Sequence, residues 1–193
     1  TYNRGSVIGR PIRSVLAQTF QDFEIIIVDD KKSDDDIETV VRAFNDPRIQ
    51  IEMNGAVSAA GNRNRGVALA RGQYIAFLDS DDEFLPHKLE VFQRCIEKKP
   101  ESLLFSKIYM GRGGGKYWIK PSRGLQEHED IYDYLFVTKG WVSPSTVVLK
   151  TDIARAHPFL ESLGFGDDTQ FVADLWRAGI PVEMVQTPLS ICD

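Results

Sequence analysis

The sequence predicts an α/β fold with a mostly parallel central sheet and helices on both faces. Short apolar runs alternate with longer segments that repeat apolar residues at helical spacing. Nearly continuous apolar runs are typical of strands that are buried on both faces, as in parallel sheets covered by helices. The chain has 193 residues, of which 42% are hydrophobic. This is enough for one sizeable core, so we expect a single domain over residues 1–193.

The first half of the chain predicts a helix followed by a β-α-β-α-β order. Apolar residues at helical spacing predict helices over 6–18, 34–44, 58–70 and 86–97. Apolar or alternating runs predict strands over 24–28, 48–53 and 74–78. Pro47 ends the second helix, and Gly72 follows the third, where a left-handed residue commonly ends a helix. This alternating order indicates parallel strands joined by helical crossovers.

The second half of the chain is less regular. It predicts strands over 103–110, 146–149 and 182–185, and helices over 127–136 and 167–177. Residues 111–115 contain four glycines, so we expect this segment to be mobile. The sequence shows neither an internal repeat nor a domain linker.

The beginning of the chain departs from the pattern, because the helix over 6–18 follows residues 1–3 with no strand before it. A sheet of this class has a first strand at this point. We therefore expect that strand to be missing from this sequence, which leaves a central strand without one partner.

The overall composition argues against several classes of function. The chain carries 28 acidic and 23 basic residues and has a net charge of -5, with no basic stripe, so a nucleic-acid polymer is not an expected partner. No apolar run reaches the 18 residues of a membrane-spanning helix. Cys95 and Cys192 are too few for a disulfide framework or a cysteine zinc site, which is compatible with a reducing cytoplasm.

Three carboxylates follow the apolar strand over 74–78 within four positions: Asp79, Asp81 and Asp82. Strands of a parallel sheet deliver ligand-binding groups at their carboxyl ends. Crowded carboxylates repel one another, and a divalent cation that also binds a phosphate-bearing substrate would compensate for this. The alternative is a solvated acidic turn that precedes a helix with Pro86 in its first turn.

Similar polar clusters lie at three other predicted loops. Asp29 and Asp30 close the strand over 24–28, Arg63 and Asn64 lie in the helix over 58–70, and Asp167-Asp168 begins a helix. The ordered motifs TYNR, SVLAQTFQDFEIIIVDD, NRNRGVALARGQYIAFLDSDD and FGDDTQFVADLWRAG resemble the family 2 inverting glycosyltransferases, which have the GT-A fold. The resemblance covers nearly the whole chain, and it rests on the order of the four motifs rather than on any one of them.

The resemblance implies a nucleotide site in the first half. Asp30 matches the aspartate that binds the base, and a carboxylate is a suitable acceptor for a ring N–H. Tyr2 matches a tyrosine that stacks on the base, and Arg63 matches an arginine near the diphosphate. The alternatives are a turn aspartate, an ordinary aromatic residue at a sheet edge, and a surface salt bridge, with Arg65 as the phosphate contact. Lys31 departs from the family pattern, which puts the local loop shape and the base preference in doubt.

The resemblance also assigns the acidic residues. Asp79 and Asp81 match the family DXD motif, in which Asp81 binds Mn²⁺ or Mg²⁺ and Asp79 binds the ribose or the metal. Asp82 is an additional carboxylate that could take either role. Asp168 matches the catalytic base, which takes the proton of the acceptor hydroxyl, and Asp167 replaces a commoner glutamate. The alternative for this pair is a helix N-terminus that favours aspartates through its dipole.

The resulting expectation is a metal-dependent glycosyltransferase that moves a sugar from a nucleoside diphosphate sugar, with UDP favoured, to a saccharide or lipid-linked acceptor. A Rossmann-like nucleotide-binding half would span about 1–100, and an acceptor and catalytic-base half would span about 101–193. Surface polysaccharide synthesis is the expected context, in the cytoplasm or at the inner face of the membrane, and peripheral membrane association of a longer protein stays open. The alternatives are a catalytically silent nucleotide-sugar binder, a nucleotidyltransferase and, least favoured, a phosphoacceptor receiver domain.

Overall fold

The computed structural model describes residues 1–32, 34–55, 58–111, 115–138 and 140–192. The α-helices in this part are α1 (Gly9–Leu16), α2 (Ile37–Arg42), α3 (Ala59–Leu69), α4 (Lys88–Ile96), α5 (Thr151–Ala156) and α6 (Asp167–Arg177). The strands are β1 (Ile25–Asp30), β2 (Ile49–Asn54), β3 (Tyr74–Ala76), β4 (Asp82–Phe84), β5 (Leu103–Gly111), β6 (Tyr117–Lys120), β7 (Val147–Lys150) and β8 (Val182–Cys192). A π-helical turn (Asp133–Val137) and a 3-10 turn (Pro144–Thr146) precede β7.

The strands form two sheets. β1 and β2 pair in parallel, and the larger sheet has the order β3-β7-β5-β8-β4, with β6 also paired to β5. The α/β class is confirmed, but the expectation of a mostly parallel sheet needs correction. In the larger sheet β5 and β8 are parallel, whereas the other described pairs are antiparallel. An apolar run shows that a strand is buried, but it does not specify the direction of its neighbour.

Two helices of the first half, α2 and α3, begin at side-chain caps. Asp36 accepts a hydrogen bond from the backbone N–H of Thr39 at 3.1 Å, and Ser58 accepts one from that of Gly61 at 3.1 Å. Such caps satisfy backbone donors that have no partner within the helix. The Ser58 cap fixes the start of α3, the helix that carries Arg63.

An aromatic cluster in the main core connects the two halves of the chain. The rings of Phe159 and Phe171 stack with their centroids 4.0 Å apart, and Phe77 meets Phe159 edge-on at 5.2 Å. Phe77 follows β3, whereas Phe171 lies in α6. The cluster therefore holds the end of β3 beside the first turn of α6.

An open groove of about 1480 Å³ separates β1 from β3. Residues 25–28 and 74–78 line its two sides, and apolar side chains such as Phe92 and Ile96 contribute to its wall. At one end Asp30 donates a backbone hydrogen bond to the carbonyl of Thr1, and the amino group of Thr1 donates to the carbonyl of Val28. This is the pattern of one parallel bridge.

The remaining differences from the expected elements lie in the second half. The helix predicted over 127–136 is replaced in part by the π-helical turn, and β8 is longer than the strand predicted over 182–185. The strands β4 and β6 and the helix α5 were not expected. Residues 112–114 of the glycine-rich segment lie outside the described residues. Within the described part of the chain, no helix is both long enough and apolar enough to cross a membrane.

Candidate active site

Residues 79–82, which we call the acidic turn, lie between β3 and β4 and end at the first residue of β4. The backbone N–H of Asp82 donates to the carbonyl of Asp79 at 3.1 Å and closes the turn. The N–H of Asp79 donates to the hydroxyl of Ser145 at 3.0 Å. The 3-10 turn of the second half therefore contacts the acidic turn and fixes its backbone through this hydrogen bond. Ser145 was not singled out from the sequence, because a buried serine leaves no periodic pattern.

Arg63 joins the acidic turn to the acidic pair that begins α6. Its Nη2 donates to Asp79 Oδ1 at 2.7 Å, and its Nη1 donates to Asp167 Oδ2 at 2.7 Å. The side chain is only 17% exposed, and its guanidinium lies 5.4 Å from the centre of the Phe159 ring. Burial acts to lower the pKa of Arg63, but the charges of Asp79 and Asp167 outweigh it and raise that pKa. The arginine is therefore a charged bridge between the two halves of the chain.

Asp81 is the more accessible carboxylate of the acidic turn. Its side chain is half exposed and lies 3.3 Å from Arg4 Nη2, and its carbonyl accepts a hydrogen bond from Arg10 Nη2 at 2.8 Å. Arg4 belongs to the TYNR motif, but the sequence alone gave it no role. The structure brings it to the acidic turn from the opposite end of the first half.

Tyr2 and Asp30 line the same cleft as Arg63, Asp79 and Asp81, at the polar end of the groove. Asp30 is largely buried, and its Oδ1 accepts a hydrogen bond from the N–H of Lys32 at 2.9 Å, whereas Tyr2 is more than half exposed. The structure thus gathers these five predicted residues around one opening. The cleft lies at the carboxyl ends of β1 and β3, which is where open α/β sheets bind ligands.

Asp29 was not among the predicted contacts, but it lies at the same strand end. It is fully buried, and its Oδ1 accepts a hydrogen bond from the hydroxyl of Thr1. Its Oδ2 has no hydrogen-bond partner among the residues that the structure describes. Buried carboxylate oxygens normally have partners, so Asp29 Oδ2 is an exception among the buried polar atoms of this strand end.

Asp82 does not lie with the other acidic residues of the turn. It is 3% exposed, and its carboxylate is hydrogen-bonded by the side chains of Ser145 and Cys192. Burial raises the pKa of Asp82 to about 6, and burial together with the Asp82 carboxylate raises the pKa of Cys192 to about 12. The expectation that Asp82 shares the metal site is therefore not carried further, because its carboxylate is enclosed by protein.

Asp167 and Asp168 occupy the first turn of α6, directly after Gly166, whose φ of 80° is left-handed. Asp168 Oδ1 accepts a hydrogen bond from the N–H of Thr169 at 2.7 Å. Asp168 also lines a small cavity of about 10 Å³, walled by Phe77, Phe159 and other apolar side chains. The two aspartates are therefore distinguished by their surroundings, since Asp167 is paired with Arg63 and Asp168 borders an apolar wall.

The residues present suit a metal ion that is shared with a substrate. Among the described residues, no group of three or more histidine, cysteine, aspartate or glutamate side chains could hold a metal by itself. Mg²⁺ is commonly bound by one or two carboxylates together with substrate phosphates, and Asp81 with Asp79 supplies that donor set.

The chain is similar in sequence to a known protein family and to known glycosyltransferases. Residues 1–155 match the family model described as "Glycosyl transferase family 2". The chain is 30% identical over 198 aligned residues to the amylovoran biosynthesis glycosyltransferase AmsB of Erwinia amylovora, with 98% of this chain and 66% of that protein covered. It is 42% identical over 106 residues to WfgD of Escherichia coli, a UDP-Glc:alpha-D-GlcNAc-diphosphoundecaprenol beta-1,3-glucosyltransferase, with 54% of this chain and 42% of that protein covered.

The fold is also similar to solved structures. The S. aureus TarS 1-349 complex with UDP-GlcNAc superimposes with a TM-score of 0.79 at 19% identity, covering 99% of this chain and 56% of that chain. The chain spans less than two thirds of the length of each of these three proteins. The family match nevertheless covers most of the chain. The chain belongs to glycosyl transferase family 2.

Proposed function

We propose that the protein transfers a sugar from a nucleoside diphosphate sugar to an acceptor hydroxyl, with inversion at the anomeric carbon. The observation that carries the proposal is the single cleft that gathers Tyr2, Asp30, Arg63, Asp79 and Asp81 at the carboxyl ends of two strands. Arg63 also connects this cleft to the acidic pair of α6, so that donor-binding and catalytic groups share one framework.

UDP is the proposed nucleotide. The name of WfgD specifies UDP-Glc, and TarS was solved with UDP-GlcNAc, which supports the same choice for this chain. Asp30 would accept the N–H of the base, and the exposed ring of Tyr2 would stack on it. A guanidinium has five N–H donors, of which Asp79 and Asp167 accept two, so Arg63 can hold its bridge and still donate to the diphosphate.

Asp81, with Asp79, would hold Mn²⁺ or Mg²⁺ against the diphosphate. When bound, the metal supplies positive charge that stabilises the departing nucleoside diphosphate. Arg4 lies beside Asp81 and adds a positive group at the same edge of the cleft.

Asp168 is the proposed catalytic base. The acceptor oxygen forms a bond to the anomeric carbon while the bond from that carbon to the diphosphate oxygen breaks, and its electron pair leaves with UDP. The acceptor proton passes to the Asp168 carboxylate. The neighbouring phenylalanine rings limit the access of water, and Asp167 stays paired with Arg63.

The acceptor is proposed to be a saccharide, either free or linked to a lipid, in surface polysaccharide synthesis. The names of AmsB and WfgD, which specify amylovoran biosynthesis and a diphosphoundecaprenol acceptor, support this class. A lipid-linked acceptor would place the reaction at a membrane surface, and we propose the cytoplasmic side, with peripheral association of the full-length protein.

Titration calorimetry with UDP, GDP and CDP, each with and without MnCl₂, tests the donor proposal. We expect binding that is selective for UDP and strengthened by Mn²⁺. Equal affinity for the three nucleotides would contradict the assigned role of Asp30, and binding of UDP without any effect of Mn²⁺ would contradict the role of Asp81.

A further inference from the structure

Lys88, the first residue of α4, is completely buried beside the acidic turn. Its Nζ donates hydrogen bonds to the carbonyl of Ser145 at 2.6 Å and to the hydroxyl of Ser190 at 2.8 Å, and it lies 4.1 Å from the centre of the Phe84 ring. Burial lowers the pKa of Lys88 well below its usual value, and the charge of Asp82 acts in the opposite direction. Burying an amine costs free energy that only well-placed partners offset.

Ser145 transmits this arrangement to the acidic turn. Its carbonyl accepts from Lys88 and from the Ser190 hydroxyl, the latter at 2.7 Å. Its own hydroxyl accepts from the N–H of Asp79 and bonds to the Asp82 carboxylate. One fully buried serine therefore connects Lys88 to both ends of the turn, and a shift of Ser145 would move the backbone that carries Asp79.

We propose that Lys88 is a positioning residue that acts through Ser145 to hold the acidic turn in the shape that binds the nucleoside diphosphate and its metal. The proposal rests on the donor site proposed above. Because Lys88 is fully buried, it does not itself contact a ligand in the cleft. A lysine that only stabilised the fold would leave the affinity of the folded protein for the nucleotide unchanged.

The test compares UDP affinity in the presence of MnCl₂ for Lys88→Met, Ser145→Ala and the double variant. Thr146→Val is the matched control, since Thr146 is equally buried in the same 3-10 turn and its hydroxyl donates to the carbonyl of Ser143 at 2.6 Å. We expect each single variant to weaken UDP binding about 10–100-fold, as for other residues that orient ligand-binding groups. The double variant should bind UDP with about the affinity of whichever single variant binds it less tightly, because both substitutions break the same connection. The control should bind UDP with the affinity of the wild-type protein.

Hydrogen exchange of residues 79–84 without nucleotide tests the inference separately from the donor proposal. We expect faster amide exchange in this segment for Lys88→Met and Ser145→Ala, with unchanged exchange in β1. Unchanged exchange in both variants, or UDP binding that is weakened no more than in the control, would overturn the role of Lys88. If the wild-type protein bound no UDP, the donor proposal would fail. The exchange experiment would still show whether Lys88 holds the acidic turn in place. If Lys88→Met did not fold, Ser190→Ala would provide the decision, because it removes the hydroxyl that accepts from Lys88 and donates to the Ser145 carbonyl.

Discussion

Replacing Arg63 by methionine should destabilise the protein substantially, because it removes the charged bridge between the two halves of the chain. Methionine retains the apolar contact with Phe159 but has no donors. The variant loses two hydrogen bonds of 2.7 Å, to Asp79 and Asp167, each between charged groups. Such bonds contribute about 1.5–3 kcal/mol each.

The net loss should be smaller than the sum of the two bonds, since water can reach both carboxylates. The Asp79 side chain is 32% exposed and the Asp167 side chain is 17% exposed. We therefore expect a loss of about 2–4 kcal/mol in the free energy of unfolding, after discounting for solvent screening. For a chain of this length, a loss of 3 kcal/mol lowers the Tm by about 6–12 °C.

Urea unfolding followed by circular dichroism measures this loss, and Arg65→Met is the matched control. Arg65 lies two positions further along α3, is 43% exposed and pairs with Glu52 at the surface, so its loss should cost less than about 1 kcal/mol. Arg63→Lys should fall between the two, because one ammonium group cannot reproduce the planar fork. If Arg63→Met were as stable as Arg65→Met, the bridge would contribute nothing and the reasoning would be refuted.

The remaining predictions concern the proposed chemistry and the pH dependence of stability. Asp168→Asn should lower sugar transfer about 10²–10⁴-fold while UDP affinity stays at the wild-type value, and near-full turnover would remove Asp168 as the base. Asp81→Ala should weaken UDP binding in the presence of MnCl₂ but not in its absence. If MnCl₂ strengthened UDP binding by the variant as much as by wild type, the proposed metal site would be wrong. EDTA should abolish the metal-dependent part of UDP binding and leave the Tm unchanged, whereas a lowered Tm would show a structural metal. Burial acts to raise the pKa of Glu24, but hydrogen bonds from Arg71 and Gly72 outweigh it and lower that pKa below the unfolded value of 4.5. The resulting stabilisation is present above pH 4.5 and is lost as the pH falls through the folded value. Glu24→Gln should therefore be less stable than wild type by about 0.5–1.5 kcal/mol near pH 7, after discounting for solvent screening, with a gap that closes in acid, and a pH-independent gap would exclude this origin.

The elements that carry the cleft could be predicted from the sequence because their patterns are local. The apolar run before Asp29 and Asp30 predicts β1, and helical spacing predicts α3 and α6 close to their observed bounds. A strand end or a helix start also determines where the next polar side chains lie. The gathering of Tyr2, Arg63 and Asp79 at one cleft follows from the order of these elements.

The buried groups that pack behind the acidic turn could not be predicted, because their partners are distant in sequence. From the sequence, Lys88 is expected to be an ordinary exposed charge near the start of a helix. It is buried because β8 and the 3-10 turn pack around it. Asp82 is adjacent to Asp81, yet it enters β4 and is buried there, while Asp81 stays in the turn. The boundary between the turn and β4 separates the two carboxylates, and the acidic residues alone do not show where that boundary lies.

This separation changes how the acidic turn is compensated. Crowded carboxylates at a strand end require positive charge, and from the sequence a divalent cation is the obvious source. In the structure Asp79 is paired with Arg63 and Asp81 lies beside Arg4, whereas Asp82 is buried and hydrogen-bonded by Ser145 and Cys192. Because Asp79 and Asp81 each already have an arginine near them, the turn can form without a metal. In the proposed function, the metal ion would offset the additional negative charge that a nucleoside diphosphate brings, which is why nucleotide affinity, rather than stability, is expected to respond to EDTA.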